Sequence, residues 1–365
     1  MKISIALATY NGAAFLGEQL DSIKRQSLQP AELIISDDSS SDDTVEIARR
    51  FARGAGFDVI VDVHPRIGNY NENFVRAIGQ CTGDIVVLCD QDDVWSENKL
   101  ATATVEFRDP TVMAVSHRIQ VVDESLGPTS LVLPQESVYG RFTVANLDPW
   151  FAPGGMHLLF RREPIAAWLL ESAPLSKWFP APAPFDEWIF FLAGLAGTRV
   201  LMPDILAVWR RHSSSTTGSP EATKKVWSRA FQLQLALSSG ATEYAYAAKV
   251  AESRAEVAER IARDPQRRAP SGHEGAALYR RVAQTWRRRS QLYEAGSGRV
   301  ARLQIFGEML RDLEYRPRSL GGLGAKSMLK DSYAVLRGPI RTWAHGSAPH
   351  DDELGKESES ARQRR

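Results

Sequence analysis

The chain has 365 residues, 43% of them hydrophobic and 24% charged, which is typical of a soluble globular protein. With 45 Lys and Arg against 44 Asp and Glu, the net charge is +1, so overall charge indicates no strongly charged partner. The two cysteines, Cys81 and Cys89, exclude a disulfide framework and fit a reducing compartment. Cys89 lies in an apolar run, so it is predicted to be a small buried residue.

The first hundred residues alternate between strand and helix patterns. Strands are predicted at residues 2–9, 32–36, 57–63 and 84–89, with amphipathic helices between them. Ser96 is expected to cap a further helix that runs to Phe107. This alternation predicts right-handed βαβ units around a parallel sheet, so the fold class is α/β.

The second half of the chain has a different pattern. Strands are predicted at residues 113–122 and 200–209, with a short helix before the second of them. Helices are predicted after about residue 221, and a disordered tail after 346. The expected domains are therefore a catalytic domain at 1–218, a helical region at 219–346 and a tail at 347–365. The first residues read as a strand rather than a signal peptide, and no apolar run reaches the roughly 20 residues of a membrane span.

Polar clusters follow three of the predicted strands. They comprise Thr9-Tyr10-Asn11, Asp37-Asp38 and Asp90-Gln91-Asp92-Asp93. Open α/β sheets bind ligands beyond the carboxyl ends of their strands, so these clusters predict one shared site. Asp90 and Asp92 alternate along the chain and can share a divalent cation that bridges two phosphates, although a solvated acidic loop is the alternative.

Three segments resemble the family 2 glycosyltransferases in both order and spacing. They are residues 5–12 (IALATYNG), 34–44 (IISDDSSSDDT) and 90–95 (DQDDVW), the last followed by Lys99-Leu100. The resemblance is closer to the rhamnosyltransferase-like members, which share the Asp-Gln-Asp-Asp-x-Trp form, a later Gly-rich turn, an Asp at a helix start and an Arg-x-His segment. It covers about residues 1–215 and does not cover the C-terminal third.

The resemblance implies a GT-A nucleotide-diphospho-sugar transferase fold, a Rossmann-like mixed sheet flanked by helices. It also implies inverting, metal-dependent transfer of a sugar from a nucleotide diphosphate to a cell-surface polysaccharide or lipid-linked glycan. The subgroup favours dTDP-rhamnose, with other dTDP- or UDP-linked sugars as alternatives. The implied cofactor is Mg²⁺ or Mn²⁺, which carboxylate ligands alone do not distinguish.

The resemblance also implies roles for individual residues. The metal ligands would be Asp90, Asp92 and His212. The general base would be Asp186, or Glu187, which here separates Asp186 from Trp188. The acceptor would contact Gly154, Gly155 and Trp188. The donor would be bound by Thr9, Tyr10, Asn11, Asp38, Asn73, Arg76, Asp90, Gln91 and Asp93.

Two other functions remain open from the residues. A nucleotidyltransferase would place a Gly-rich basic loop after the first strand, whereas the chain has Thr-Tyr-Asn-Gly there and no basic residue between that turn and Lys24. A nucleotide-sugar-binding protein without catalysis could keep the same clusters. A nucleic-acid binder is disfavoured, because no basic patch interleaved with aromatic residues marks the sheet.

Between residues 299 and 346, basic and apolar residues alternate. This pattern predicts a helix at an anionic membrane surface, and the expected location is the cytoplasm, at the inner face of the cytoplasmic membrane. The alternative is packing against the catalytic domain or against a second copy in a homodimer.

Overall fold

The computed structural model describes residues 1–134, 138–169, 173, 176, 182–213, 240–264, 269–294 and 296–337. The predicted tail at 347–365 and the predicted boundary at 218/219 lie outside these residues. None of the described helices is both long and apolar enough to span a bilayer.

Four parallel strands form the first half of the central sheet, in the order β3-β2-β1-β4. Their bounds are β1 (Ile3–Thr9), β2 (Glu32–Asp37), β3 (Asp58–Val63) and β4 (Ile85–Cys89). The helices between them are α1 (Leu16–Lys24), α2 (Thr44–Ala52) and α3 (Tyr70–Gln80). Apolar clusters cover both faces of the sheet, which explains why β4 is a continuous apolar run that includes the buried Cys89.

The second half of the sheet continues in the order β9-β6-β10-β5 and mixes strand directions. Its strands are β5 (Val94–Trp95), β6 (Val112–Val122), β7 (Pro128–Leu133), β8 (Gly140–Phe142), β9 (Leu158–Arg161) and β10 (Thr198–Arg210). β9 is antiparallel to both β4 and β6, whereas β10 is parallel to β6. Because β9 runs in reverse, the turn that precedes it meets the carboxyl end of β4.

Three helices accompany this half: α4 (Lys99–Thr104), α5 (Arg162–Leu169) and α6 (Phe185–Ala196). The α-helix after β5 is shorter than predicted, because it gives way to a 3₁₀ turn after Thr104. Its N-cap is Asn98 rather than Ser96, whose hydroxyl donates to the Asn98 side chain instead (2.7 Å).

The C-terminal helices are α7 (Ala241–Ala262), α8 (Gly272–Tyr293), α9 (Arg299–Arg311) and α10 (Ala325–Arg337). α8 packs closely on α6: a Cβ added to Gly275 would lie 2.5 Å from Leu195 Cδ2, and the Ser271 amide donates to the Leu195 carbonyl at 3.0 Å. One apolar cluster contains residues of the sheet, α6, α7 and α8, so these helices share a core with the sheet.

Candidate active site

The ends of β1 and β2 are tied together by the Asp37 carboxylate. It accepts from the Thr9 hydroxyl at 2.7 Å and from the Ser40 amide at 2.8 Å. Thr9 is 1% exposed, so its side chain serves to hold the two strand ends in register. The Thr9 hydroxyl is thus occupied by Asp37, and the predicted contact of Thr9 with the donor remains a prediction.

Tyr10 and Arg66 form a stacked pair above this edge. The Arg66 guanidinium carbon lies 3.5 Å from the centre of the Tyr10 ring, which is 38% exposed. Asp38 fixes the loop that carries Arg66, because its carboxylate accepts from the amides of Ile67 (2.5 Å) and Gly68 (2.9 Å). An exposed aromatic ring with a guanidinium on its face suits a planar nucleobase. Sequence reasoning missed Arg66, since no motif marks it.

Asn11 and Gln91 organise the loop after β1. The Gln91 side chain accepts from the Tyr10 amide (2.9 Å) and donates to the Tyr10 carbonyl (3.1 Å). It lies against Gly12, where a Cβ would come within 2.3 Å of the Gln91 oxygen. The Asn11 side-chain oxygen accepts from the Ser41 amide (2.9 Å). Asn11 and Gln91, both predicted to bind the donor, therefore lie at the carboxyl ends of the strands. In this structure their side chains hold the loops after β1 and β2 in place.

Asn73 and Arg76, two further predicted donor contacts, have partners within the protein. Asn73 is 3% exposed, and its side-chain amide donates to the Thr9 carbonyl (3.2 Å) and contacts His64 (3.1 Å). Arg76 forms an ion pair with Asp62 on β3 at 2.7 Å. Both side chains bind the protein itself in this structure, and their predicted contacts with the donor remain predictions.

Asp92 and His212 meet on one side of the site. The Asp92 carboxylate lies 2.8 Å from His212 Nε2, and the His212 ring packs on Phe15 with ring centres 4.4 Å apart. Arg210 clamps the acidic loop to the end of β10, because its side chain donates to the Asp92 carbonyl (2.9 Å) and its amide to the Asp93 carboxylate (3.1 Å). Asp92 and His212 are 120 residues apart in the sequence, and β10 brings His212 next to Asp92.

The acidic loop concentrates negative charge. Burial and the charges of Asp92 and Asp186 raise the pKa of Asp90 to about 7. Asp93 is fully buried, and its Oδ2 atom has no hydrogen-bond partner among the described residues. The nearby cations are Arg210 and Arg211 at the end of β10, and Lys99, which is itself fully buried and whose pKa burial lowers to about 7.

Lys99 links the acidic loop to the Gly-rich turn. Its ammonium group donates to the Met156 carbonyl at 3.0 Å and lies 3.8 Å from the centre of the Trp95 ring. The sequence motif contains Lys99, but its spacing gave no indication of this bridging contact. One buried cation therefore stabilises both the carboxylates after β4 and the turn before β9.

A divalent cation fits this arrangement only in part. No three His, Cys, Asp or Glu side chains form a ready-made metal cage within the described ranges. Mg²⁺ and Mn²⁺ sites beside phosphates commonly use only one or two carboxylates, with the remaining ligands from substrate and water. The adjacent Asp92 and His212, with Asp90 beside them, fit a cation of that kind.

Asp186 lies in the first turn of α6, next to the Gly-rich turn: a Cβ added to Gly155 would lie 3.9 Å from Asp186 Cβ. Burial raises the pKa of Asp186 to about 6, the Glu187 carboxylate contributes in the same direction, and amide hydrogen bonds from Glu187 (2.8 Å) and Gly155 act against it. Asn71 fixes the start of α6 by accepting from the Phe185 amide at 3.0 Å. The charge of Asp186 is felt at both Asp90 and Tyr70, so the base candidate faces the acidic loop.

Glu187 and Trp188 point away from this site. Glu187 is 4% exposed and forms an ion pair with Arg254 of α7. Trp188 is 3% exposed and stacks on Phe191 with ring centres 5.5 Å apart. The alternative of Glu187 as base and the prediction of Trp188 as an acceptor contact are therefore both corrected: each side chain is committed to the interior.

The Gly154-Gly155 turn is held rigidly. The Gly154 amide donates to His157 Nε2 (2.8 Å), so His157 Nδ1 carries the hydrogen that bonds the His117 carbonyl (3.0 Å). A Cβ on Gly155 would lie 3.0 Å from Phe185 Cζ, so a larger residue would displace the start of α6. The predicted acceptor contact of this turn remains a prediction.

Known proteins that are similar to this chain include several glycosyltransferases. A sequence model of glycosyl transferase family 2 matches residues 4–164. An uncharacterized glycosyltransferase of Nostoc sp. is 24% identical over 223 residues, which are 59% of this chain and 66% of that protein. The dTDP-rhamnosyl transferase RfbG of Shigella flexneri is 34% identical over 103 residues, 27% of this chain and 35% of that protein. The O-antigen chain rhamnosyltransferase RfbN of Salmonella typhimurium is 27% identical over 119 residues, covering 32% and 37%.

The chain thus matches less than two thirds of the length of each of these relatives. Among solved structures, S. aureus TarS residues 1–349 in complex with UDP-GlcNAc has a TM-score of 0.52 at 13% identity, over 94% of this chain and 93% of that one. That likeness shows the GT-A fold. Residues 4–164 of this chain are thus similar to the family 2 glycosyltransferases, and the remaining residues lie outside that match.

Proposed function

We propose that the protein is an inverting, metal-dependent glycosyltransferase that moves a sugar from a nucleotide diphosphate to a hydroxyl group of a glycan. The observation that carries the proposal is that Asp186 lies close enough to the acidic loop for its charge to raise the pKa of Asp90, in the same loop in which Asp92 contacts His212 at 2.8 Å. A base on one side and diphosphate ligands on the other are what a single displacement at an anomeric carbon needs.

In the proposed reaction Asp186 accepts the proton of the acceptor hydroxyl. The hydroxyl oxygen then forms its bond to the anomeric carbon, while the bond from that carbon to the diphosphate oxygen breaks. Lys99 and Arg210 keep the acidic loop in place, and the Gly155 amide holds the Asp186 carboxylate. With a raised pKa near 6, Asp186 is ionised at neutral pH and still basic enough to take a proton.

Asp92 and His212, with Asp90, would hold Mg²⁺ or Mn²⁺. The cation, when bound, would neutralise the charge that develops on the leaving diphosphate. Asp93, whose Oδ2 atom is buried without a partner among the described residues, would accept a hydroxyl of the donor sugar or ribose.

For the donor we propose a dTDP- or UDP-linked sugar, with dTDP-rhamnose as the first choice. The Tyr10–Arg66 pair offers a stacking surface for the base, and the Asp38 carboxylate lies 3.6 Å from Arg66 Nε. Two of the relatives are named as rhamnosyl transferases, one of them with dTDP in its name. The acceptor would be a cell-surface polysaccharide or a lipid-linked glycan.

A donor panel tests the function. Nucleoside-diphosphate release is measured from dTDP-rhamnose, UDP-GlcNAc, UDP-glucose and GDP-mannose, each with Mn²⁺, Mg²⁺ or EDTA. We expect one donor to give cation-dependent release that increases with an added glycan acceptor. Binding of the nucleoside diphosphate without release from any donor would instead indicate a sugar-nucleotide-binding protein, and no binding at all would refute the proposal.

We also propose that α10 binds the enzyme to the anionic inner face of the cytoplasmic membrane. Leu329, Tyr333 and Leu336 are 69%, 52% and 59% exposed and lie on one face of the helix, at i, i+4 and i+7. Lys326, three residues before Leu329, is exposed beside this stripe, whereas the Lys330 ammonium group donates to the Tyr244 hydroxyl at 2.8 Å. Exposed apolar side chains beside an exposed cation suit a surface of anionic lipid, and a lipid-linked acceptor would be presented there.

Vesicle sedimentation tests this contact. Vesicles of phosphatidylglycerol and phosphatidylcholine should bind the protein at low salt, and the combined change Leu329→Ser, Tyr333→Ser, Leu336→Ser should weaken binding at least tenfold, since each buried Leu contributes about 1.5–3 kcal/mol. The control is Ile60→Thr, an exposed apolar residue of β3. Equal binding by the triple variant would contradict the proposal, as would a wild-type protein that pairs with a second copy through this face and ignores the vesicles.

A further inference from the structure

The first turn of α6 sends two adjacent carboxylates in different directions. Asp186 reaches the site, and Glu187 turns into the interior, where it meets Arg254 of α7. The side chains of Glu187 and Arg254 are each 4% exposed. The ion pair therefore joins the helical region to the residue next to the base candidate.

Arg254 is fixed from several sides. Its guanidinium donates to the Pro149 carbonyl at 2.8 Å, which also accepts from the Tyr279 hydroxyl at 3.1 Å. The rings of Trp150 and Phe191 lie within 5.4 and 5.8 Å of its guanidinium carbon. Ser176 donates to the second Glu187 oxygen at 3.2 Å. A buried ion pair with these additional partners has one well-defined geometry.

We propose that Arg254 is a positioning residue for sugar transfer, which makes the helical region a working part of the active site. By holding Glu187, it fixes the direction in which Asp186 leaves α6 and compensates the negative charge beside it. The proposal rests on Asp186 being the base. It does not depend on which sugar or cation is used.

The charges around Asp186 predict the direction in which each variant should shift the pKa of Asp186. The groups that face Asp186 are the carboxylates of Glu187 and Asp90, the Tyr70 hydroxyl, and the amides of Glu187 and Gly155. The Glu187 charge acts to raise the pKa of Asp186, and Arg254 offsets that charge. Removing the Glu187 charge should therefore lower this pKa, whereas removing only the Arg254 charge should raise it.

The experiment compares pH–rate profiles of Glu187→Gln, Arg254→Met and the double variant, at saturating donor. The acid limb of each profile is the low-pH range in which the rate rises as Asp186 ionises. Glu187→Gln should keep measurable turnover, and its acid limb should lie at lower pH than that of the wild type. Arg254→Met should lower kcat by about 10- to 100-fold, because a small displacement of the base is costly, and should shift the acid limb to higher pH. The double variant removes both charges, a change that buried ion pairs often tolerate, and its limb should follow Glu187→Gln.

The matched control is Arg289→Met, which breaks a buried ion pair of the same kind with Asp331 (3.0 Å) inside the helical region. It should reduce thermal stability without moving the limb. If the limb stays in place in all three test variants while kcat falls only as stability falls, Arg254 is merely structural and the proposal is refuted. If Glu187→Gln abolishes turnover and Asp186→Asn does not, Glu187 is the base, and the proposed role of Arg254 fails while the transferase function stands. If the wild type releases nucleoside diphosphate from none of the donors, the proposed function itself fails.

Discussion

Replacing Asp186 with Asn is expected to lower kcat by about a thousandfold, within the range of 10²–10⁴ that general base catalysis contributes. Asn has nearly the same shape but cannot take the acceptor proton. The KM for the donor should change little, because the proposed partner of Asp186 is the acceptor hydroxyl and not the nucleotide. Both constants can be measured from steady-state transfer to a glycan acceptor, with nucleoside-diphosphate release as the readout.

The pH dependence of the wild type gives an independent check on Asp186. The reactive form is the carboxylate, and its pKa is about 6, so kcat should rise with pH through about 6 and level off above it. Asp186→Asn should lose this limb along with the rate. As a control, Asp58→Asn changes an exposed carboxylate at the far end of β3 and should leave kcat and its pH dependence unaltered. An Asp186→Asn variant within tenfold of wild type would place the base elsewhere.

Replacing Asp92 with Asn should lower kcat by about a hundredfold or more, since a loss of about 3 kcal/mol in stabilisation of the leaving diphosphate corresponds to that factor. His212→Asn should act in the same direction. In both variants the Mn²⁺ concentration required for half-maximal rate should rise. Nucleoside-diphosphate release measured across a Mn²⁺ titration reports the two effects separately.

A second histidine and calorimetry make the Asp92 test specific. His273→Asn alters an exposed histidine of α8 and should leave the Mn²⁺ dependence unchanged. Mn²⁺ binding in the presence of nucleoside diphosphate can be followed by calorimetry without turnover. Unaltered Mn²⁺ affinity and rate in both Asp92→Asn and His212→Asn would show that this pair holds no cation and that the acidic loop has another role.

Periodicity and strand-end chemistry predicted the parallel half of the sheet well. The residues around Asp38 and Asp90 follow buried apolar runs, and parallel strands must bring such ends to one edge. The reversal of β9 and the insertion of β10 between β5 and β6 were not predictable in the same way. They depend on pairings between residues that are far apart in the sequence, such as Phe160 with Val86 and Val208 with Val94.

Within the site, the sequence could place residues but not their directions. Asp186 and Glu187 are adjacent carboxylates, and the partners that hold Glu187 in the interior include Arg254, 67 residues later in the chain, and Ser176. Trp188 has the same difficulty, since an aromatic residue in a motif near the site can face a sugar or the core. Arg66 and Lys99 were not assigned because their partners, Tyr10 and the Met156 carbonyl, lie on other segments.

The position of β10 has a consequence for how the protein is made. β10 is the last strand of the sheet in chain order, yet it lies between β6 and β5 and delivers His212 to the site. While the ribosome is still translating the residues before Thr198, one side of β6 has no partner strand, and a long apolar edge of this kind is prone to pair with other chains. Nascent chains of this enzyme should therefore depend on chaperones most strongly in the interval between the completion of β9 and the emergence of β10.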